Sequence, residues 1–191
     1  MNLFIIRHGQ TTWNKENLFQ GQSNIPLNST GISQAESLAT SLKDKKIDMI
    51  YSSPLDRAVQ TANILNQYHN APHIIDTLIT ERYLGELEGK CAFDYDLPTI
   101  WKHILNLDAK SDSIYGIETL ELLLKRGKEF LNKIILQYGN TTNNIYIVAH
   151  GSMNLALLLL LGQIDTSKPL QEVRIENCYC YTVKNPSIEY S

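Results

Sequence analysis

The chain has 191 residues, of which 43% are hydrophobic and 19% are charged. This composition excludes an intrinsically disordered or fibrous protein and is typical of a chain that buries its own core. The net charge of −3, from 17 basic and 20 acidic residues, creates no general field for nucleic acid or an anionic membrane. We therefore expect neither as a partner, and any anion site must be local.

The predicted elements alternate between strands and helices from the start of the chain. Residues 3–6 are four consecutive apolar residues, which predicts a strand buried on both faces. A helix is predicted over residues 32–42 from its apolar spacing, with Thr30 as its cap. Residues 47–51 predict a second strand. The next helix is expected to have Ser53 as cap and Pro54 as its first residue.

The same alternation continues in the second half. We predict strands over residues 73–75, 145–149 and 178–183, and helices over residues 120–138 and from Gly151 to Leu161. The pattern indicates an α/β fold: a three-layer α/β/α sandwich around a mostly parallel sheet with an antiparallel edge strand. We expect one domain over residues 1–191. No element is assigned to residues 90–116.

Three cysteines are present, Cys91, Cys178 and Cys180, with no Cys-x-x-Cys pair and no His/Cys set at zinc spacing. We predict free thiols in a reducing compartment. The first apolar run has no basic segment before it and ends at Arg7, which does not fit a signal peptide. The longest apolar stretch, residues 155–161, is too short to cross a bilayer. We therefore expect a soluble cytoplasmic protein.

Two predicted strands end in the same way. The first runs into Arg7, His8 and Gly9, and the strand over residues 145–149 runs into His150 and Gly151. Ligands of open α/β sheets bind beyond the carboxyl ends of strands, where the strand order reverses. If the two strands flank that point, the two imidazoles lie close together.

Two arginines extend this predicted cluster. Arg7 directly precedes His8, and Arg57 is expected about one turn into its helix, with its side chain pointing back toward the helix N-terminus. Two guanidinium groups, two imidazoles and helix N-termini suit a phosphoryl group. A neutral imidazole can attack phosphorus, and a carboxylic acid can protonate the leaving oxygen.

These residues resemble a known family. Residues 7–11, Arg-His-Gly-Gln-Thr, look like the signature of the histidine phosphatase superfamily, the phosphoglycerate mutase-like proteins. The resemblance runs almost end to end. It continues at Asn14 and the loop with Gln20 and Gly21, then at residues 52–62, 80–89 and 148–151.

The resemblance implies a role for each matching residue. His8 is expected to be the phosphorylated nucleophile, and Glu81, rather than the nearby Glu86 or Glu88, the proton donor. Arg7, Arg57 and His150 are expected to hold the phosphoryl group. The contacts implied for phosphate or substrate come from Arg7, Asn14, Gln20, Gly21, Arg57 and Gly151. No metal and no cofactor is implied.

Three functions remain open at this point. A phosphomonoesterase is favoured over a mutase because the mutases of this family carry a longer insertion, a tyrosine three residues past the glutamate, and paired arginines. In this chain the residue three positions past Glu81 is Leu84 rather than tyrosine, and Arg126 is the only arginine between Arg82 and His150. Glu81-Arg82 and Leu87, in contrast, are mutase-like. The third possibility is a non-catalytic module that binds a phosphorylated ligand.

The substrate is expected to be a small phosphorylated metabolite whose identity the sequence leaves open. Specificity is predicted to lie in residues 13–25 and 90–116. Four aspartates in the second segment, Asp94, Asp96, Asp108 and Asp112, would repel a second phosphate and so favour a singly phosphorylated substrate. The oligomeric state is not predicted.

Overall fold

The computed structural model describes residues 1–96, 100, 114–165 and 173–189. Within these ranges the strands are β1 (Asn2–Arg7), β2 (Met49–Ser52), β3 (His73–Ile75), β4 (Asn144–Ala149) and β5 (Cys180–Lys184). The helices are α1 (Thr12–Lys15), α2 (Ser29–Leu42), α3 (Asp56–Asn66), α4 (Leu120–Tyr138) and α5 (Gly151–Leu160).

The five strands form one sheet in the order β3-β2-β4-β1-β5. β1, β2, β3 and β4 are parallel, and β5 runs antiparallel to β1 at one edge. This confirms the predicted α/β fold with a mostly parallel sheet and an antiparallel edge strand. The central pair is β1 with β4, in which Arg7 stands opposite Ala149.

Helices cover both faces of the sheet because the central strands are apolar on both sides. Ile145 and Ile147 of β4 pack in one core cluster with residues of α4 and α5. Tyr146 and Val148, which alternate with them, pack in a second cluster with residues of α2 and α3. The two clusters are the interiors of a three-layer sandwich. None of the described helices is long and apolar enough to cross a membrane.

Two predicted helix starts are wrong by a few residues. Asn28, not Thr30, caps α2, because its side-chain oxygen accepts from the Gly31 N–H at 2.8 Å. α3 begins at Asp56 rather than Pro54, because Leu55 keeps an extended backbone with ψ 137° and no side chain caps the helix. The hydroxyl of Ser53 instead accepts from the Leu55 N–H at 3.3 Å.

Two strand boundaries also differ from the prediction. β2 spans Met49–Ser52 rather than residues 47–51. β5 begins at Cys180 rather than Cys178, because Cys178 has a left-handed backbone (φ 52°) that does not continue a strand.

The loop after β1 packs directly on the start of α2. A Cβ at Gly31 would lie 2.0 Å from the carbonyl oxygen of Gln10, and a Cβ at Gly9 would lie 2.4 Å from the carbonyl oxygen of Gly31. Only glycine allows this approach of the two backbones. The packing fixes the loop that follows His8.

Candidate functional site

The central strand pair brings the two histidines together. Arg7 and Ala149 are opposite each other at the ends of β1 and β4, and the His8 N–H donates to the Ala149 carbonyl at 3.0 Å. The ring centroids of His8 and His150 are 5.1 Å apart, and the ring planes are tilted by 57°. Both residues are buried, with exposed fractions of 2% and 0%.

A backbone carbonyl sets the tautomer of His8. Its Nδ1 lies 2.7 Å from the carbonyl oxygen of Gly9. Because that oxygen can only accept, Nδ1 carries the hydrogen and Nε2 keeps its lone pair. Burial, and then the charges of Arg57 and Arg7, lower the pKa of His8 well below 6.5. The ring is therefore neutral at pH 7 and can act as a nucleophile.

His150 is in a similar electrostatic environment. Burial is the main cause that lowers its pKa well below 6.5, and the charge of Arg57 adds to it. The ring is neutral at pH 7, with one nitrogen as donor and the other as acceptor. It can therefore give one hydrogen bond to an anion without bringing a charge of its own.

Arg57 reaches the site from the first turn of α3. Its Nη1 donates to the Ser23 carbonyl at 2.7 Å and its Nη2 to the Gly21 carbonyl at 2.8 Å. Burial lowers the pKa of Arg57 to about 10, so the guanidinium is still charged at neutral pH. The loop of residues 21–23 thus holds a buried positive charge beside the histidines.

Glu88 in turn holds this loop. Its Oε1 accepts from the N–H groups of Gln22 (2.8 Å) and Leu84 (3.1 Å). Its Oε2 accepts from the N–H (2.9 Å) and the hydroxyl (2.6 Å) of Ser23. The carboxylate therefore fixes the residues whose carbonyls orient Arg57. In the sequence alone, Glu88 is only a residue that could be confused with Glu81.

Several buried polar groups around the His8 and His150 rings have no hydrogen-bond partner among the described residues. They are Arg7 Nε, Arg57 Nε and both ring nitrogens of His150. An unpaired buried donor costs about 1–3 kcal/mol. Such groups normally have a partner, and an anion could accept from all of these residues at once.

The Glu81 side chain lies against the N-terminus of α5, the helix that begins directly after His150. Its Oε1 accepts from the N–H groups of Arg82 (2.8 Å) and Met153 (3.1 Å), and its Oε2 accepts from that of Ser152 (3.2 Å). A carboxylate has about four acceptor positions. Three are used, so one position on Oε2 remains for a proton.

The other predicted contact residues also lie at the site. Asn14 Oδ1 accepts from the Thr11 N–H at 3.1 Å, and the Thr11 hydroxyl donates to Gln20 Oε1 at 2.9 Å. These bonds fix the amide oxygens inside the protein and leave the NH₂ groups as the ends available to a ligand. Gly21 and Gly151 both line the cavity described next.

A cavity of about 570 Å³ opens over these groups. Its polar floor includes Arg7, His8, Arg57 and Glu81, and residues 14 and 17–21 of the first predicted specificity segment form one wall. The described part of the second segment, residues 90–96, 100 and 114–116, does not line it. Asp94 and Asp96 thus lie away from the cavity, and Asp108 and Asp112 are outside the described residues.

Another wall comes from residues that the sequence analysis did not single out. Val173, Arg174, Ile175 and Glu176 line the cavity, and the Ile175 carbonyl accepts from Arg7 Nη1 at 2.7 Å. No local motif marks this segment, which comes shortly before β5, the strand that pairs with β1. The described residues contain no cluster of three or more His, Cys, Asp or Glu that could hold a metal ion.

Comparison with known proteins identifies relatives of the chain. The model of the family described as "Histidine phosphatase superfamily (branch 1)" matches residues 3–185. A Bacillus subtilis protein described as "Uncharacterized phosphatase PhoE" is 36% identical over 91% of this chain and 82% of the relative. A 2,3-bisphosphoglycerate-dependent phosphoglycerate mutase of Buchnera aphidicola is 30% identical over 88% of this chain and 87% of the relative.

A solved structure of similar fold is phosphoserine phosphatase from Entamoeba histolytica in complex with 3-phosphoglyceric acid. It is 26% identical to this chain and superposes with a TM-score of 0.80. The match covers 99% of this chain and 95% of the other. The likeness therefore extends over nearly all of both chains.

Proposed function

The chain belongs to branch 1 of the histidine phosphatase superfamily, and we propose that it is a metal-independent phosphomonoesterase that forms a phosphohistidine on His8. The observation that carries this proposal is the set of unpartnered buried groups on Arg7, Arg57 and His150 around the His8 ring. A phosphoryl group has three equatorial oxygens that these donors can bind, and phosphoryl transfer depends mainly on such positioning and charge stabilisation.

The first step transfers the phosphoryl group to the enzyme. The lone pair on His8 Nε2 forms a bond to phosphorus while the bond from phosphorus to the leaving oxygen breaks. Arg7, Arg57 and His150 stabilise the equatorial oxygens, so the charge that a metal would supply comes from side chains. Glu81 gives its proton to the leaving oxygen, and the alcohol departs.

The second step returns the enzyme to its starting state. Water attacks the phosphorus of phosphohistidine, and the bond from phosphorus to Nε2 breaks. Glu81, now a carboxylate, takes a proton from the attacking water. Inorganic phosphate leaves, and His8 is again neutral with its hydrogen on Nδ1.

The contacts of Arg126 favour hydrolysis over mutase chemistry. A mutase must hold a second anionic group and exclude water. Arg126 does not line the cavity, because its side chain is engaged by Glu118 and by backbone carbonyls. Arg174 does line it, but Glu176 on the same wall offsets its charge, which disfavours a second phosphate. Phosphoglycerate mutase remains the second candidate because a curated relative with that name is 30% identical.

A small, singly phosphorylated metabolite is the substrate class that we propose. Arg174 and Glu176 place opposite charges on one wall of the cavity, and Leu18, Leu84 and Leu155 supply apolar surface. A substrate with both a carboxylate and an ammonium group would suit this wall. Phosphoserine therefore belongs in the test panel, together with 3-phosphoglycerate, sugar phosphates and α-ribazole phosphate.

The test is phosphate release from this panel, ranked by kcat/KM, with and without EDTA. We expect turnover that EDTA leaves unchanged, an acid-labile and base-stable phosphoenzyme in quenched samples, and no turnover by His8→Ala. Strict dependence on Mg²⁺ would contradict the proposal. Faster interconversion of 3- and 2-phosphoglycerate than phosphate release would favour the mutase. Binding of phosphomonoesters with no turnover of any would favour the non-catalytic module.

A further inference from the structure

Arg126 lies behind Glu81, on the side away from the cavity. It belongs to α4, and only 17% of its side chain is exposed. All five of its N–H groups are donated. Nε and Nη2 bind the two carboxylate oxygens of Glu118 at 2.7 and 2.9 Å, and the remaining three donate to the carbonyls of Leu78, Thr80 and Glu81.

These three carbonyls belong to the segment that leads into Glu81. Leu78 lies within a 3-10 turn (Thr77–Ile79), and residues 77–81 form no ladder with a strand. The shape of this segment therefore depends on side-chain contacts rather than on a regular backbone pattern. The Glu81 carbonyl accepts from Arg126 Nη2 at 3.0 Å and also from Gln22 Nε2 at 3.0 Å.

Glu118 keeps Arg126 in this position. Besides the bidentate pair, its Oε2 accepts from the Tyr83 N–H at 3.2 Å, and its own backbone exchanges hydrogen bonds with residues 82 and 83. The guanidinium is thus fixed on one side by a carboxylate and on the other by the carbonyls of Leu78, Thr80 and Glu81. Planar bidentate pairing of this kind gives arginine a defined orientation that lysine cannot reproduce.

We propose that Arg126 is a positioning residue that holds the Glu81 carboxyl group where it can protonate the leaving oxygen. This rests on the proposed function and adds a residue that touches neither substrate nor phosphate. General acid catalysis typically contributes about 10²–10⁴-fold. A displacement of the acid by a fraction of its hydrogen-bond length removes part of that factor.

Leaving-group dependence separates this role from a merely structural one. p-Nitrophenolate leaves readily without a proton, whereas an alkoxide such as that of serine or glycerol needs one. The comparison uses kcat/KM, which covers the steps up to phosphohistidine and leaves out the later attack of water, in which Glu81 also acts. For Arg126→Lys and Arg126→Met we expect kcat/KM on an alkyl phosphate to fall on the order of 10- to 100-fold. On p-nitrophenyl phosphate kcat/KM should change by less than about threefold. Glu81→Gln should show the same selectivity, more strongly.

A double-mutant cycle adds an independent readout. If Arg126 acts through Glu81, Arg126→Lys should cost almost nothing further on the alkyl phosphate in a Glu81→Gln background. Lys125→Met, an exposed basic residue beside Arg126 on α4, is the matched control and should behave as wild type. Glu118→Gln offers a second perturbation and should give the same selective loss in milder form.

The outcomes distinguish this inference from the proposed function. Wild-type protein that releases no phosphate from either substrate would refute the proposed function. Active wild-type protein with variants whose kcat/KM falls by equal factors on both substrates, or does not fall, would overturn the role of Arg126. Additive losses in the cycle would overturn it as well. Melting temperatures of the variants show whether an equal loss of activity on both substrates reflects unfolding. If an Arg126 variant is unfolded, the selectivity of Glu118→Gln tests the role of Arg126 instead.

Discussion

The two buried histidines should make the stability of the protein fall steeply below pH 6.5. In the native state burial and the nearby arginines lower the pKa of both His8 and His150 well below 6.5. In the unfolded chain both rings titrate near 6.5. Below that pH the unfolded state therefore binds more protons than the native state, and the free energy of unfolding decreases.

The magnitude follows from linkage. Each ring that is protonated in the unfolded chain and neutral in the native protein contributes a slope approaching about 1.4 kcal/mol per pH unit. Two rings give about 2.7 kcal/mol per pH unit. The contribution is absent above pH 6.5, grows as the pH falls, and stops growing once the native rings themselves take up protons. This is a large share of a typical stability of about 5–15 kcal/mol.

The assay is urea unfolding between pH 7.5 and 5 in a buffer free of phosphate. The wild type is compared with the double variant His8→Asn/His150→Asn, and His69→Asn controls for the loss of a histidine outside the site. Carboxylates contribute to both curves, so the difference in slope isolates the two rings. The double variant should lose stability more slowly on acidification. Parallel curves for wild type and double variant would refute the electrostatic reasoning.

Three further predictions concern the loop, the packing and the ligand. Glu88→Gln should raise the inhibition constant for orthovanadate about 10- to 100-fold, because hydrogen bonds to a charged group are worth about 1.5–3 kcal/mol. The hydrogen bonds of Glu88 fix the loop that orients Arg57. An unchanged inhibition constant would contradict this prediction. Gly31→Ala should destabilise the protein by about 1–3 kcal/mol in urea unfolding, since its Cβ would overlap the Gln10 carbonyl. The control Gly151→Ala should cost less, because the side chains of Arg7 and Glu81 would lie 3.8 Å from its Cβ, an ordinary contact distance. Inorganic phosphate at 100 times its dissociation constant should stabilise the native state by about 2.7 kcal/mol, seen as a higher melting temperature, whereas an unchanged melting temperature would argue against an anion site.

Strand patterning predicted the architecture and the meeting of the two histidines. Both rings directly follow apolar strands, and parallel strands end at the same edge of a sheet, so adjacency of β1 and β4 was enough to bring His8 and His150 together. Helix starts were less predictable. Asn28 and Thr30 both carry a side-chain oxygen that can cap a helix, so local sequence does not distinguish them. In the structure Asn28 caps α2 at Gly31, the residue that also packs closely on the backbone of Gln10, and this tertiary contact is not visible in the sequence.

The supporting residues could not be predicted because their roles depend on distant partners. In the sequence Arg126 stands among lysines of a helix, as a residue on a solvent-exposed helix face would. Its guanidinium nevertheless donates to the carbonyls of Leu78 and Glu81, more than 40 residues earlier in the chain. Glu88 likewise looks like an ordinary surface glutamate until the loop of residues 21–23 is placed beside it. Periodicity describes which face of an element is buried, and it carries no information on which distant backbone a long polar side chain will meet.

The pairing of β1 with β4 also has a consequence for how the protein is made. Positions 8 and 150 come from widely separated parts of the chain, and the strands that carry them align only through long-range contacts. Such contacts form late because closing a long loop costs entropy before it gains any interaction. During synthesis the cluster cannot assemble until the ribosome has released β4, so a nascent chain should gain the ability to bind orthovanadate in a single late event.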